Sequence, residues 1–413
     1  MLLVPVFCGI DWAEDHYDLA LVDQAGVVLT ERRINDDSIG YQLLLALLAE
    51  HGDDQVESIP VAIETPRGLV VACLRRTGRQ VYAINPLSVA RYRERHSVAR
   101  TKSDRIDAQL LANILRTDRA AHRPLPADSE LAQAVAVLAR AQQDAVWNRQ
   151  QVANQLRSLL REYYPAFLEA FQDRRPGGLA HPDACAVLAI APTPTQAARL
   201  TRPQLQAALR RAGRQRGITA VSVRLQAIFR RTWLHQLLLV ENAMGRQSLA
   251  LLKQLEAAAQ AADDLAEATR VVFQQHPQVA IFTSFPGLGE LPAARLLAEI
   301  GDDSTRFADA RGLKAYAGAA PVTRASGKRL VVLHRKVKNQ RLASVGYLWT
   351  FAALRLSTGA RAHYDRRRVA GDRHTAAQRH LFNRFLGCLY YCLQTGQTYA
   401  EDQAFPAAHP IAA

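Results

Sequence analysis

Four carboxylates stand where they could act together. Asp11 closes the apolar run Cys8-Gly9-Ile10-Asp11, and Glu64 closes Val61-Ala62-Ile63-Glu64. Asp104 and Asp107 fall within Thr101-Lys102-Ser103-Asp104-Arg105-Ile106-Asp107-Ala108, a spacing that puts them one turn apart on the same helix face. Like charges this close repel and need something positive between them. Two divalent ions roughly 4 Å apart meet that need and also perform phosphoryl chemistry, one activating the nucleophile and one stabilising the leaving oxygen. Hard oxygen donors without a His/Cys set favour Mg²⁺ or Mn²⁺ over zinc. Taken singly, an Asp or Glu at a strand end reads as a solvated cap, and Asp104 as a residue favoured by the helix dipole. The combination carries the expectation that Asp11, Glu64, Asp104 and Asp107 are a two-metal catalytic site. Glu14, Asp15, Asp18 and Asp23 are read as surface.

The elements that must hold these residues follow from the patterning. Val6–Ile10, Leu19–Asp23 and Val27–Arg33 are three strand-like runs, with Gln24-Ala25-Gly26 as a tight turn. Ser38 reads as the N-cap of a helix to Leu48, Ile59–Glu64 as a buried strand, Gly68–Arg76 as a helix and Gln80–Ile84 as a strand broken by Asn85-Pro86. Ser103 reads as the cap of a helix from Asp104 to about Arg116, with Ile106, Leu110, Leu111 and Ile114 on its apolar face. The order βββαβαβα, opening with three strands in hairpin succession, is that of the ribonuclease-H-like (RuvC-like) fold. Pro124 and Pro126 then mark a boundary. Helical patterning runs from Asp128 to Phe171 and again from about Val221 to Phe273, separated by an Arg-rich interval at 172–220. This is either an antiparallel coiled-coil hairpin with an insertion at its tip or an ordinary helical domain, structural or oligomeric in role. The expected division is 1–124, an α/β nuclease-like domain; 125–278, a helical coiled-coil connector; 279–400, a mainly helical C-terminal domain; and 401–413, a frayed tail.

The chain has 413 residues, 49% hydrophobic and 22% charged, with a formal net charge of +14. This is globular composition with room for two or three domains. Five scattered cysteines fit neither a disulfide framework nor a zinc site. There is no apolar stretch of membrane-spanning length and no secretory signal, so no membrane partner and a cytoplasmic location are expected. The charge is uneven. Residues 1–60 carry 12 acidic and two basic side chains, a net of −10, so the remainder carries +24. Only six of the 52 basic residues are Lys, so an Arg-rich genome accounts for the excess about as well as a polyanion partner does. The densest stretch, Val322 to Arg384, has 15 Lys/Arg against Asp365 and Asp372.

Several motifs taken together resemble the DEDD-type insertion-sequence transposases, a family of bridge-RNA-guided serine recombinases related to the Piv-type DNA invertases. They are Gly9-Ile10-Asp11, Ile63-Glu64-Thr65-Pro66-Arg67-Gly68, Ile84-Asn85-Pro86 and Lys102-Ser103-Asp104-Arg105-Ile106-Asp107-Ala108. The second half adds Phe285-Pro286-Gly287-Leu288-Gly289, Leu297-Ala298-Glu299-Ile300-Gly301-Asp302, Ala315-Tyr316-Ala317-Gly318 and Pro321-Val322-Thr323-Arg324-Ala325-Ser326-Gly327-Lys328. The resemblance implies a resolvase-like N-terminal domain, a coiled-coil connector and a C-terminal transposase domain with Ser326 as nucleophile. It implies a covalent protein–DNA intermediate, double-stranded DNA partners (element ends and target) and a guide RNA. It also implies a homo-oligomer, dimer or tetramer, in which the carboxylates of one subunit serve the serine of another. Glu14 stands where the family carries Lys, and Lys336-Val337-Lys338-Asn339-Gln340-Arg341 replaces a glycine-rich basic segment.

A serine hydroxyl is a poor nucleophile without a base, a metal or cationic surroundings. Arg324, Lys328 and Arg329 would bind the scissile phosphate; read from the residues alone, the segment is more simply a surface turn that contacts phosphate. Lys102, Arg105, Arg335, Lys336 and Lys338 are further candidates for nucleic-acid contact. Gly287 and Gly289 would sit in a helix-hairpin-helix-like turn, where backbone N–H groups reach a phosphate, and such a segment is also simply a turn. Tyr316, Tyr347, Trp349 and Tyr364 are candidates for base stacking, with core packing the plainer use for most. Rival readings are a hydrolytic Holliday-junction-type endonuclease, which needs no Ser326, a sugar-kinase-type ATPase, disfavoured by Trp12-Ala13-Glu14-Asp15 after the first Asp, and a non-catalytic nucleic-acid-binding protein.

Overall fold

The computed structural model describes residues 5–54, 58–96, 104–172, 178–327 and 329–406. The chain divides into two compact units, Met1–Ala127 and Asp128–Ala413.

In the first unit, β1 (Phe7–Trp12), β2 (His16–Val22) and β3 (Val28–Asn35) form an antiparallel meander. Helix α1 (Ser38–Glu50) follows, capped by Asp37, whose carboxylate accepts from the Gly40 N–H at 2.7 Å. The cap is therefore Asp37 and not Ser38, because the carboxylate one residue earlier reaches that orphan donor. β4 (Val61–Ile63) pairs parallel with β1, and after α2 (Leu69–Arg76), β5 (Val81–Ala83) pairs parallel with β4. The sheet order is β3-β2-β1-β4-β5. Asn85-Pro86 ends the strand as expected, but Pro86 also opens an unforeseen helix, α3 (Pro86–His96), since Pro fits the first turn of a helix. α4 (Asp104–Asp118) completes the unit.

Alternation along the strands divides two cores. Cys8, Ile10, Leu19, Leu21, Val61 and Ile63 pack with Leu44, Leu48, Val71 and Leu74 of α1 and α2. Phe7, Val22, Ala62 and Tyr82 point the other way, against Leu111, Ala112 and Leu115 of α4. Of the expected α4 face, Leu111 and Ile114 are buried and Leu110 packs partly buried against the same core, while Ile106 is only partly buried; Ala108, Ala112 and Leu115, which the bulky spacing does not single out, are fully buried as well. Their burial follows from close approach. A Cβ on Gly9 would lie 2.0 Å from the Ala108 carbonyl oxygen and 2.5 Å from the Ala112 nitrogen, so α4 can lie on β1 only through small residues over a glycine.

The second unit is helical apart from one hairpin. α5 (Glu130–Tyr163) and α11 (Leu238–Phe273) pack along each other. Gln142 reaches the Ala262 carbonyl and Tyr163 meets Ser248 at 2.7 Å, so the two run antiparallel. Between them, α6 (Pro165–Ala170), α7 (Pro182–Ile190), α8 (Pro194–Ala198), α9 (Arg202–Arg211) and α10 (Ile218–Phe229) share a core with the adjoining ends of the long helices. Beyond α11 come α12 (Val279–Thr283), α13 (Glu290–Ile300), α14 (Ala310–Tyr316) and the hairpin β6 (Val322–Ser326) and β7 (Arg329–Leu333). α15 (Gln340–Leu356), α16 (Thr358–Val369), α17 (His374–Thr395) and α18 (Glu401–Ala404) follow. Trp349, Phe285, Phe382 and Phe385 anchor this second core. The start of the expected tail is not frayed: Glu401 accepts from the Ser357 hydroxyl, the Gly359 N–H and the Tyr399 hydroxyl, which dock α18. Among the described residues no helix is long and apolar enough to cross a membrane.

Candidate active site and nucleic-acid surface

The first unit's geometry gathers acids at one sheet edge. Ile10 pairs with Ile63 in parallel register, so Asp11 and Glu64 leave neighbouring strands at the same level. Because Ile10 and Ile63 face α1 and α2, alternation turns Asp11 and Glu64 toward the α4 face. α4 runs antiparallel to β1. Its end reaches the β2–β3 turn, where Arg116 donates to the Gln24 carbonyl and lies over Gly26, while its start lies toward the Asp11 end. Asp107, in the first turn of α4, is 4% exposed and pairs with Arg93 of α3. Asp104 opens the same helix; its side chain, with Lys102, lies outside the described residues.

A fifth carboxylate joins this edge. Asp18 is opposite Asp11 in the β1–β2 register and only 4% exposed, so its reading as a surface residue is corrected. Arg33, its partner on β3, grips it with two hydrogen bonds of 3.1 and 2.7 Å. Carboxylates directly opposite on adjacent strands repel, and Arg33 offsets one of the pair. Trp12, half exposed, follows Asp11 directly. Asp18, Arg33 and Arg93 were missed because strand register and an unforeseen helix place them, not local motif. Arg105, a candidate nucleic-acid contact, is exposed and ion-paired with Glu31, which also accepts from Gln109. Those two hydrogen bonds hold the Glu31 carboxyl below its ordinary value.

Among the described residues, no three His, Cys, Asp or Glu side chains form a group that could hold a metal ion; Asp104 is outside that set. The donors at the edge are all carboxylate oxygens, a chemistry that suits a hard divalent cation.

In the second unit, Ser326 ends β6 and is exposed, opposite Arg329 in the hairpin register. The two-residue connection begins with Gly327 at φ +55°, with no atom within 4 Å of where a Cβ would lie. Arg324, two residues before Ser326 and exposed, shares its strand face. Lys328 and the Arg329 side chain lie outside the described residues. Arg335 donates to the Ala320 carbonyl at 3.4 Å, Lys336 is exposed, and the Lys338 ammonium lies 3.2 Å from His334 Nε2. Gly287 (φ +76°) packs on α15, where a Cβ would fall 2.6 Å from the Ala353 nitrogen, whereas Gly289 is exposed at the start of α13. Of the aromatic candidates, Trp349 is fully buried and donates to the Pro286 carbonyl, Tyr316 bonds Asn339, Tyr364 bonds His374, and Tyr347 is half exposed.

A mixed sheet of this order with acids at its strand ends, in a chain whose second unit is helical and basic, is an α/β arrangement consistent with the ribonuclease-H-like fold. Comparison with known proteins supplies the family. Residues 8–165 match the IS110-type DEDD transposase model and residues 279–365 the model described as "Transposase IS116/IS110/IS902 family". The chain is 62% identical over 400 residues to the IS117 mini-circle candidate transposase of Streptomyces coelicolor, covering 97% of this chain and 96% of that one. It is 27% identical over 411 residues to an uncharacterized 42 kDa protein of insertion element IS900 from Mycobacterium paratuberculosis, covering 98% and 99%. It is 26% identical over 424 aligned positions to an uncharacterized 43.6 kDa protein of insertion element IS110 from Streptomyces coelicolor, covering 99% and 98%. The chain belongs to the IS110 family of insertion-sequence transposases.

Proposed function

We propose that this transposase cuts and rejoins the DNA of its element through a covalent bond between Ser326 and a DNA phosphate. The observation that carries the reading is the convergence of the Asp11 and Glu64 strand ends with the start of α4 on one face of the sheet, fixed by the contact of Gly9 with α4. Asp11, Glu64, Asp104 and Asp107 would hold Mg²⁺ or Mn²⁺, two ions by their number. Bound there, the metal supplies charge neutralisation at the scissile phosphate.

Ser326 Oγ bonds to phosphorus as the bond from phosphorus to one deoxyribose oxygen breaks; the hydroxyl loses its proton and the released sugar oxygen gains one. Attack by a second DNA hydroxyl then reverses the bookkeeping and frees Ser326, so strand exchange needs no external energy source. Arg324, on the same strand face, binds the phosphate, with Lys328 and Arg329 beside it, and stabilises the charge that builds during attack. Lys102, Arg105, Arg335, Lys336 and Lys338 supply sequence-independent grip on the nucleic-acid backbone, and Gly289 offers a backbone N–H at the start of α13. Following the family resemblance, a structured RNA selects the DNA by base pairing, and the working form is a dimer or tetramer in which one subunit's carboxylates serve another's serine.

The test uses DNA spanning the element ends, with RNA transcribed from the flanking sequence. Asp11→Asn, Glu64→Gln and Asp107→Asn are expected to lose strand cleavage by at least 100-fold while keeping DNA binding in a gel-shift assay. Cleavage at wild-type rates in all three would overturn the carboxylate assignment.

A further inference from the structure

In the second unit, α15, α17 and the segment after β7 line an open cavity of about 460 Å³, a volume within the range of ligand pockets. Among the described residues its lining contains no carboxylate. Three basic side chains contribute instead: His334, Lys338 and Arg379. Lys338 is fixed by its stem, which lies across Gly318, where a Cβ would fall 2.2 Å from Lys338 Cδ. Burial, followed by the neighbouring charges of Lys338, Arg379 and Lys336, pushes the His334 imidazole below its ordinary value, a sign of how positive the surroundings are. Two rings complete the wall. Phe382 lies flat over Gly346, where any Cβ would come within 2.4 Å of the ring, and Tyr347 is half exposed.

Ala317, Ala343, Thr350, Thr375 and Gln378 also line it, and the last of these bears on specificity. Gln378 is 2% exposed, and among the described residues neither its Nε2 nor its Oε1 has a hydrogen-bond partner. A buried amide without partners is costly, and evenly packed apolar side chains would serve a core better at that position. A carboxamide presents one donor and one acceptor side by side, the complement of a base edge such as adenine N6 and N7. Cations for a phosphate, rings for a planar face and an unmatched amide for a polar edge together describe a nucleotide.

We propose that this cavity receives a single unstacked nucleotide of the bound nucleic acid, its base against Tyr347 and Phe382, its polar edge read by Gln378 and its phosphate held by Lys338 and Arg379. The proposal rests on the nucleic-acid reading of this chain and adds to it a site for one extruded base. DNA and RNA share the chemistry, so both enter the test.

The full-length protein is titrated by fluorescence anisotropy with four 30-base-pair probes: paired DNA, DNA with one bulged adenosine, and the two RNA counterparts. Wild type is expected to bind one or both bulged probes about tenfold more tightly than the matched paired probe, and the arm showing the preference names the source. Gln378→Leu, which removes the unmatched amide at similar volume, and Tyr347→Ala, at an exposed position that does not threaten folding, are each expected to abolish the preference and leave paired-duplex affinity unchanged. Equal binding of bulged and paired probes by wild type, or an undiminished preference in both variants, would overturn the pocket while leaving duplex binding intact. Failure of wild type to bind any probe would overturn the nucleic-acid reading and the pocket with it.

Discussion

Asp107 is nearly buried, and the Arg93 guanidinium stands beside it. Replacing Arg93 with Met would leave a buried carboxylate with its principal cation gone, at a cost of about 3 kcal/mol. If Asp107 belongs to a divalent-cation site, millimolar Mg²⁺ should recover much of that loss. A thermal melt of Arg93→Met is expected to show a lowered Tm in EDTA and a Mg²⁺-dependent rise larger than that of wild type; an identical Mg²⁺ response in both proteins would speak against metal at this edge. The carboxylates at strand ends and on α4 were legible from residue type and spacing, because a strand end and a helix turn are local. Asp18 was not, since its burial depends on the register that sets it between Asp11 and Arg33. Arg93 was hidden for a related reason: Asn85-Pro86 reads as a break, yet proline also starts helices.

Elements carry the site by contact with one another, and the tightest contact is β1 against α4. Gly9→Ala would press a methyl group into the α4 backbone, 2.0 Å from the Ala108 oxygen. Helix backbone has little room to yield, so a loss of about 3 kcal/mol or more is expected in chemical denaturation, together with weakened cleavage as α4 and Asp107 shift. Unchanged stability would show that α4 does not need that approach. The same contact explains what the α4 pattern left out: Leu111 and Ile114 of the bulky stripe are buried, but closeness to β1 adds Ala108 and Ala112, which bulk does not mark. At the other end of the chain, the docking of α18 rests on Glu401. Burial pushes its carboxyl up, but hydrogen bonds from Ser357, Tyr399 and the Gly359 N–H outweigh that and leave it below its ordinary value of 4.5. A depressed carboxylate stabilises the fold above the ordinary value, and that contribution is lost as pH falls through the depressed one. Glu401→Gln is accordingly expected to cost about 1 kcal/mol at neutral pH, with the gap to wild type closing below about pH 4. A gap that is constant with pH would rule out the charged form as the source. Composition alone, rich in Ala and Pro after residue 403, suggested only a tail.

On the scale of the whole molecule, the long helices were readable because apolar residues recur at helical spacing through α5 and α11, and antiparallel pairing follows from a chain that must return. The interval between them was opaque: α7, α8 and α9 are short, and their shared core with the long helices comes from tertiary packing that no local periodicity reports. Charge was a better guide to function than to fold. The acidic first 60 residues contain Asp11 and its buried neighbour Asp18, and the basic excess is densest from Val322 to Arg384, the stretch that holds Ser326 and most of the nucleotide-sized cavity's lining. In the proposed function one chain thus supplies metal-binding acids on one unit and a nucleophile on the other. The most direct measurement is to react the protein with element-end DNA, RNA transcribed from the flanking sequence and Mg²⁺, denature, digest, and map any peptide–nucleotide adduct by mass spectrometry. An adduct is expected on Ser326 and none in Ser326→Ala or in Asp11→Asn. DNA cleavage by Ser326→Ala at the wild-type rate, with no adduct in either protein, would contradict the proposed function and identify a hydrolytic nuclease instead.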